Sequence, residues 1–547
     1  MQTGQLLAGN QFDLSIGYRD INITGKSRQA TVVNGGIPGP VLRWKQGETV
    51  TLRVANNLAV DSSIHWHGII LPAHMDGVPG FSFDGIRPGE TFEYRFPVTQ
   101  NGTYWYHSHS GFQEQTGVYG ALVIDAPEPA PFAFEREHVV LLSDWSDEQP
   151  ENIFAKLKKQ SHYYNRNQRT VGDLMQQLNA DGVGATWNDR AMWNRMRMTD
   201  NDISDVTGAT YTFLVNGQAP DANWTGLFAR GEKVRLRFIN AAAMTIFDVR
   251  IPGLKMTVVA ADGQYVEPVT IDEFRIGVAE TYDVIVEPAE GAYTLFAQAI
   301  DRSGYARGTL AESEGLAAPV PMLDQRPVLT HADMGMGGAH AGHGAHSGHA
   351  AGGSQSAASA PSVPMGSGAA GYGSDAPVVH AESEYGFQVN MRAEQPRDQL
   401  SNPGIGLANN GRQVLTYADL RNLIPTPDPR EPEREIQLHL TGNMSRYMWS
   451  MDGINFANAE PLHLKLNERV RITLVNDTMM NHPIHLHGMW SDLETGSPDH
   501  IPRKHTILVQ PGAKISYLVT PDEPGDWAYH CHLLYHMMGM FRRVEVS

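Results

Sequence analysis

Short runs in which apolar and polar residues alternate, separated by Gly, Pro, Asn and Asp, recur along nearly the whole chain. Successive side chains on a strand point to opposite faces, so each such run predicts a half-buried strand, and a long series of them predicts β-sandwiches. One run occurs three times. Gly47–Asn56, Gly231–Asn240 and Asn467–Asn476 each read as a turn feeding a strand that ends at Asn. A second element, a turn glycine followed two residues later by an aromatic, also occurs three times, at Gly102/Tyr104, Gly291/Tyr293 and Gly525/Trp527. Repetition at matching positions predicts three copies of one all-β domain, placed at residues 1–140, 141–330 and 381–547.

Two stretches break the alternation. Residues 146–200 carry apolar positions at helical spacing, among them Ile153, Leu157, Leu174 and Leu178, and are expected to form a helical insertion in the second domain. Residues 331–380 are low-complexity Gly, Ala, Ser and His with scattered Met, the composition of a flexible linker before the third domain. Met334, Met336, His340, His343, His346 and His349 make it a candidate metal-collecting tract.

Composition narrows the function. A chain of 547 residues suits about three domains. It has no apolar run of about 18 residues, so no membrane span is expected. The formal net charge of -18 argues against nucleic acid as a partner, because phosphate binding needs a basic surface. The first residues lack a basic patch followed by an apolar run, so the sequence reads either as cytosolic or as a chain whose export segment has been removed. The single cysteine, Cys531, excludes an internal disulfide, and its neighbours are His530 and His532. A lone cysteine is ordinarily a small buried hydrophobe, but two flanking histidines point to metal chemistry.

Counting from the repeat landmarks locates that chemistry. Nine and eleven residues after Asn56 stand His65 and His67; the same offsets give His485 and His487 from Asn476, but Val249 and Ile251 from Asn240. Five and seven residues after Gly102 stand His107 and His109; the same offsets give His530 and His532 from Gly525, but Phe296 and Gln298 from Gly291. Each His-x-His pair on a strand can project both imidazoles to one side. Four pairs shared by the first and third domains predict a pseudo-symmetric eight-histidine site between them, with none in the second.

Strand parity separates a second site. Cys531, between His530 and His532, points to the opposite face of its strand, and His482, three residues before His485, does the same. His536 and Met540 follow in the turn. Two imidazoles, a thiolate and a thioether are the donors of a blue electron-transfer copper. The matching positions are Ser62, Ser108 and Gln113 in the first domain, and Ile246 and Ala297 in the second, so only the third domain keeps this site. Cysteine on one metal and its two chain neighbours on another would join the sites covalently.

At these residues the sequence resembles the multicopper oxidases. His65-Trp66-His67-Gly68, His107-Ser108-His109, His482-Pro483-Ile484-His485-Leu486-His487-Gly488 and His530-Cys531-His532 with His536 match all four family signatures. Tyr104–Gln113 and Met444–Ser450 look like the bacterial CopA/PcoA-type copper-resistance oxidases. The resemblance implies three cupredoxin-like Greek-key β-sandwich domains and four coppers. It assigns the type 1 copper to His482, Cys531 and His536 with Met540 axial, and the type 2 copper to His65 and His485. It assigns the type 3 pair to His67, His107, His109, His487, His530 and His532. It further implies a periplasmic protein that oxidises cuprous ion and phenols with O2 as acceptor.

The chain departs from that pattern twice. The axial Met in this group usually comes five residues after the last histidine; here Met540 comes four after His536 and Phe541 takes the usual place. Azurin-like cupredoxins accommodate the shorter spacing, so Met540 is the expected ligand and Met537 and Met538 the alternatives. Asp76 matches a family carboxylate that relays protons to the cluster. The position after the last type 1 histidine, an acid in some relatives, is Met537, so a second acid must lie elsewhere or be absent. Met444, Met448 and Met451 offer thioethers before the type 1 segment, suited to cuprous ion. The expected function is a cuprous oxidase, with phenols as further substrates, acting as a monomer in copper resistance. The rivals are a laccase with organic physiological substrates and a copper-sequestering protein with little turnover.

Overall fold

The structure, a computed structural model, describes residues 5–336 and 368–547. Its described strands form six sheets, two in each of three successive β-sandwiches. In the first, a four-stranded sheet containing Gln11–Asn22 and Thr49–Asn56 faces a five-stranded sheet containing His65–His67 and Gly102–His107. The second and third each pair a six-stranded with a five-stranded sheet. The repeat strand has the same parallel partner each time: Gln11–Asn22 beside Thr49–Asn56, Arg136–Ser146 beside Val234–Asn240, and Arg434–Asn443 beside Val470–Asn476. The second sandwich therefore begins a few residues before 141.

The Asn that ends each repeat strand explains why the following segment lands in the same place. Asn56, Asn240 and Asn476 are fully buried. Each side-chain oxygen accepts the backbone N–H two residues on, from Leu58, Ala242 and Thr478 at 2.9, 3.1 and 3.0 Å. Each side-chain amide donates to carbonyls beyond the turn: Val60 and Ile86, Thr245 and Ile276, Met480 and Val509. One side chain thus satisfies the turn that no ladder can, and sets the entry to the strand that follows.

The insertion is helical, as Pro150–Lys159 and Val171–Met196. Ile153 and Leu157 are buried, Leu174 and Leu178 half-buried. Thr170 closes a capping box with Asp173, and the long helix breaks at Gly182, whose φ of 77° suits glycine. Lys158 Nζ donates to Tyr447 O at 2.8 Å, fastening the insertion to the third sandwich. Among the described residues no helix is long and apolar enough to cross a membrane.

The edges of the expected linker are docked rather than free. Met334 is fully buried in the main core and Met336 packs against it, so Met334 serves packing, not metal capture. Gly371 N donates to Glu494 Oε1 at 2.8 Å. His340, His343, His346 and His349 lie outside the described residues.

Candidate metal centres

Antiparallel pairing puts His65 opposite His107 in the first domain and His485 opposite His530 in the third. The two sheets meet so that each first histidine of a pair faces the second of its counterpart. His65 lies 4.0 Å from His487 and His67 3.8 Å from His485, between ring centroids. His107 Nε2 lies 3.3 Å from His532 Nε2, and His109 Nε2 lies 3.3 Å from His530 Nε2. Exchanging the domains maps these contacts onto one another, which is the pseudo-twofold expected from the repeat. Seven of the eight rings are buried and His109 is half-buried.

Hydrogen bonds to the far side of the rings fix which nitrogen is free. Nδ1 of His65 meets Asp76 O at 2.8 Å and Nδ1 of His485 meets His505 O at 2.5 Å, so each donates there and turns a bare Nε2 inward. Those two Nε2 atoms are buried without a hydrogen-bond partner. His487 Nδ1 donates to Asp76 Oδ2 at 2.8 Å, His530 Nδ1 to Cys531 O at 3.0 Å, and His107 Nδ1 lies 2.7 Å from Glu114 Oε2. His67 is the exception: its Nε2 meets Thr506 Oγ1 at 3.1 Å and its Nδ1 is unpartnered.

Burial, reinforced by neighbouring rings, holds His67, His107, His109, His485, His487 and His532 well below the usual histidine range, and burial brings His530 down to about 4. These seven rings are therefore neutral. Nε2 of His487 and of His530 then face each other at 3.0 Å as two lone pairs, an arrangement that a bound cation relieves. Groups such as His65–His485–His487 and His109–His487–His530 bring three donor atoms within 4.8 Å. The residues fit copper, which imidazole suits.

The second set is equally specific. Cys531 Sγ lies 3.5 Å from His482 Nδ1 and 3.9 Å from His536 Nδ1, and the two Nδ1 atoms are 3.3 Å apart. Both outer nitrogens are engaged: His482 Nε2 with Thr478 Oγ1 at 2.7 Å, His536 Nε2 with Asp205 Oδ2 at 2.5 Å. Trp449 stacks on His536, centroids 3.8 Å apart. Burial pushes the Cys531 thiol up, so in the absence of a cation the sulfur stays protonated, and a bound metal must displace that proton.

Met540 is fully buried in the turn after His536, whereas Met538 is 45% exposed and Met537 half-buried. Phe541 pairs opposite His530 and stacks on its ring with an interplanar angle of 11°, so the family's usual axial position here faces the eight-histidine side. Met451 is a core residue and Met444 is buried, leaving only Met448 half-buried in that group.

Asp76 is drawn into the site, with its carbonyl on His65 and its carboxylate on His487. Four partners escaped the sequence reading. Glu114 is a second buried acid, held on His107; it lies in the turn after His109, where strand parity stops applying. His505 is a ninth histidine, with Nδ1 3.2 Å from His67 Nε2; burial lowers it to about 4 although Asp262 opposes this. Thr478 holds a Cys531 neighbour, and its place in the Asn476 turn was the available signal. Asp205 comes from the far end of the insertion, 331 residues from His536, and no local pattern marks it; burial raises its carboxyl to about 7 although the hydrogen bond from Tyr447 opposes this.

Three family models described as multicopper oxidase match residues 15–129, 136–315 and 429–547. Copper resistance protein A of Escherichia coli is 60% identical over 99% of this chain and 93% of its own length. A copper resistance protein A homolog of Pseudomonas syringae pv. tomato is also 60% identical, with the same coverage of both chains. The crystal structure of Fet3p, a multicopper oxidase that functions in iron import, superposes with a TM-score of 0.64 at 18% identity, over 99% of this chain and 91% of that one, and supports the fold.

Proposed function

The chain belongs to the multicopper oxidase family, and on that premise we propose that it is a copper-resistance oxidase that takes electrons from cuprous ion at His482, Cys531 and His536. When bound, the family's four coppers supply one-electron oxidation at the type 1 position and reduction of O2 to water at the trinuclear position. His482, Cys531, His536 and Met540 would hold the type 1 ion. His65 and His485, whose Nε2 atoms are buried without a partner, would hold the type 2 ion. His67, with its unpartnered Nδ1, and His107, His109, His487, His530 and His532 would hold the type 3 pair.

The peptide chain itself is the electron path. Cys531, the last residue of the strand Gly525–Cys531, is bonded through the backbone to His530 and His532, so the sulfur donor and two trinuclear donors are consecutive in the chain. Thr478 and Asp205 hold the outer nitrogens of His482 and His536, fixing both rings before metal arrives. Asp76 and Glu114 each place a carboxylate against a trinuclear histidine, His487 and His107 respectively, which suits them to hold protons destined for oxygen.

The burial of His536 carries the choice of reductant. The ring is fully enclosed by Asp205, Tyr447 and Trp449, all buried, with the helical insertion fastened over them. A bulky phenol cannot touch it, whereas a small soft ion can approach the exposed thioether of Met538 two residues away. Phenols remain slower, outer-sphere donors. Copper handling suits the periplasm, and the protein acts as a monomer of three domains, the second opening with the strand that starts at Arg136. The 331–380 tract takes up further copper through its histidines.

Steady-state comparison of cuprous ion with a dimethoxyphenol tests this. A higher specificity for cuprous ion is expected. A far higher specificity for the phenol, undiminished without added copper, would make the protein a laccase, and no sustained O2 uptake with either would make it a copper store.

A further inference from the structure

A second group of buried histidines and carboxylates stands in the third domain, outside both copper centres. His380 and Glu384 come from the chain segment that leads into the domain, His439 from the strand Arg434–Asn443, and Asp477 from the turn after Asn476. His380 Nδ1 lies 2.8 Å from Glu384 Oε2 and 3.5 Å from Asp477 Oδ2. His439 Nδ1 lies 3.1 Å from the same Glu384 oxygen and 2.6 Å from the same Asp477 oxygen. Four donor atoms, two nitrogens and two oxygens, thus converge on one point.

The surroundings hold these atoms inward. The other oxygen of each carboxylate is tied to the backbone: Glu384 Oε1 accepts Ala381 N at 2.9 Å, and Asp477 Oδ1 accepts Ala393 N at 2.6 Å. The Gln437 amide is oriented by accepting Val379 N at 2.9 Å and donating to Pro377 O at 3.3 Å, so its oxygen faces His439 Nε2 at 3.2 Å and takes that proton. Neutral His439 then carries its lone pair on Nδ1, aimed at two carboxylate oxygens. Only positive charge resolves three converging acceptors in a buried site. Burial alone would lower His439, but hydrogen bonds that its Nδ1–H donates to Asp477 and Glu384 outweigh it and hold the ring up to about 10. The proton is thus the resting occupant that a metal ion would displace.

We propose that His380, Glu384, His439 and Asp477 form a mononuclear site for a divalent first-row cation, zinc or cupric. Two imidazoles and two carboxylates suit either ion, and a tetrahedral site with bonds of about 2.0–2.1 Å separates its donors by about 3.4 Å. Two of the four contacts, at 3.1 and 3.5 Å, are near that spacing, and the shorter two open by several tenths of an ångström when an ion replaces the proton. Glu384, His439 and Asp477 are buried, while the His380 side chain, 15% exposed, gives the ion a way in. The ion would clip the segment emerging from the 337–367 tract to the Asn476 turn, whose Thr478 holds His482. The site braces the type 1 ligand without touching it.

Full-length, copper-loaded protein is equilibrated with Zn2+, dialysed against a mild chelator and assayed for zinc plus copper, alongside His380→Ala and Glu384→Gln. Wild type should retain one ion more per chain than either variant, all three should keep the blue absorption, and Zn2+ affinity should weaken by about 10–100-fold in the variants. Zn2+ uptake should release protons in wild type only. Because the 337–367 tract is common to all three proteins, it cancels from the comparison. If Glu384→Gln fails to fold, His380→Ala, at the partly exposed edge, decides alone. Equal retention in wild type and His380→Ala, or no retained ion beyond the copper sites in wild type, overturns the proposal and leaves a protonated histidine held by two carboxylates.

Discussion

Residues 62, 108 and 113 in the first domain occupy the same places in the repeat as residues 482, 531 and 536 in the third, and the side chains converge in both. In the third domain His482, Cys531 and His536 point bare nitrogens and a sulfur at one another. In the first, the hydroxyls of Ser62 and Ser108 both donate to Gln113 Oε1, at 2.7 and 3.0 Å, and Gln113 Nε2 donates to Asp61 O. Every polar atom of that triplet has its partner inside the protein, so nothing is left for a metal. The fold builds the pocket three times; whether it is a site depends on whether its polar groups are left unsatisfied. In the second domain Ile246 and Ala297 fill the same place with core.

Erasing the difference should have the largest effect. Cys531→Ser gives the third domain the first domain's residue at that position, and should remove the thiolate-to-copper absorption and reduce substrate oxidation to background while the trinuclear copper stays; near-normal turnover in a steady-state assay would break the comparison. Acid should act next. Burial holds His482 and His536 far below their unfolded value near 6.5, so the unfolded chain binds more protons, and stability present above pH 6.5 is lost as pH falls toward the folded values. Calorimetry of metal-free protein should show the melting temperature falling below pH 6.5, less steeply in a His482→Gln/His536→Gln variant, because Ser62, Ser108 and Gln113 do not titrate.

Asp205 exists only on the third-domain side of the comparison. Asp205→Asn weakens the anchor of His536 and should slow cuprous oxidation by about 10-fold while retaining a shifted blue band; an unchanged rate and spectrum would remove it from the site. The smallest effect belongs to the first domain. Ser62→Ala deletes one hydrogen bond and should cost about 1 kcal/mol in denaturant unfolding with no change in copper content.

Much of this was legible in the sequence because it is local. The offset from Asn56 or Asn476 to the histidine pairs, and the parity that turns Cys531 away from His530 and His532, are properties of a pinned turn and an extended strand, and both survive in three dimensions. Contacts between distant segments leave no such trace. Asp205 reaches His536 from the end of an insertion, and Glu114 reaches His107 only because a short helix folds back after the strand. The reverse error is as instructive. Met334 looked like a copper ligand beside a histidine-rich tract, yet an apolar thioether next to an open core position is buried there instead.

The central claim is that Cys531 feeds its own chain neighbours. Fully copper-loaded protein, reduced without oxygen and then mixed rapidly with it, tests this by following the blue band and oxygen uptake together. The account predicts that the band bleaches with cuprous ion and returns as oxygen is consumed, at one O2 for every four electrons delivered. A thiolate band that never forms, or one that bleaches and does not recover while oxygen is still taken up, would contradict it.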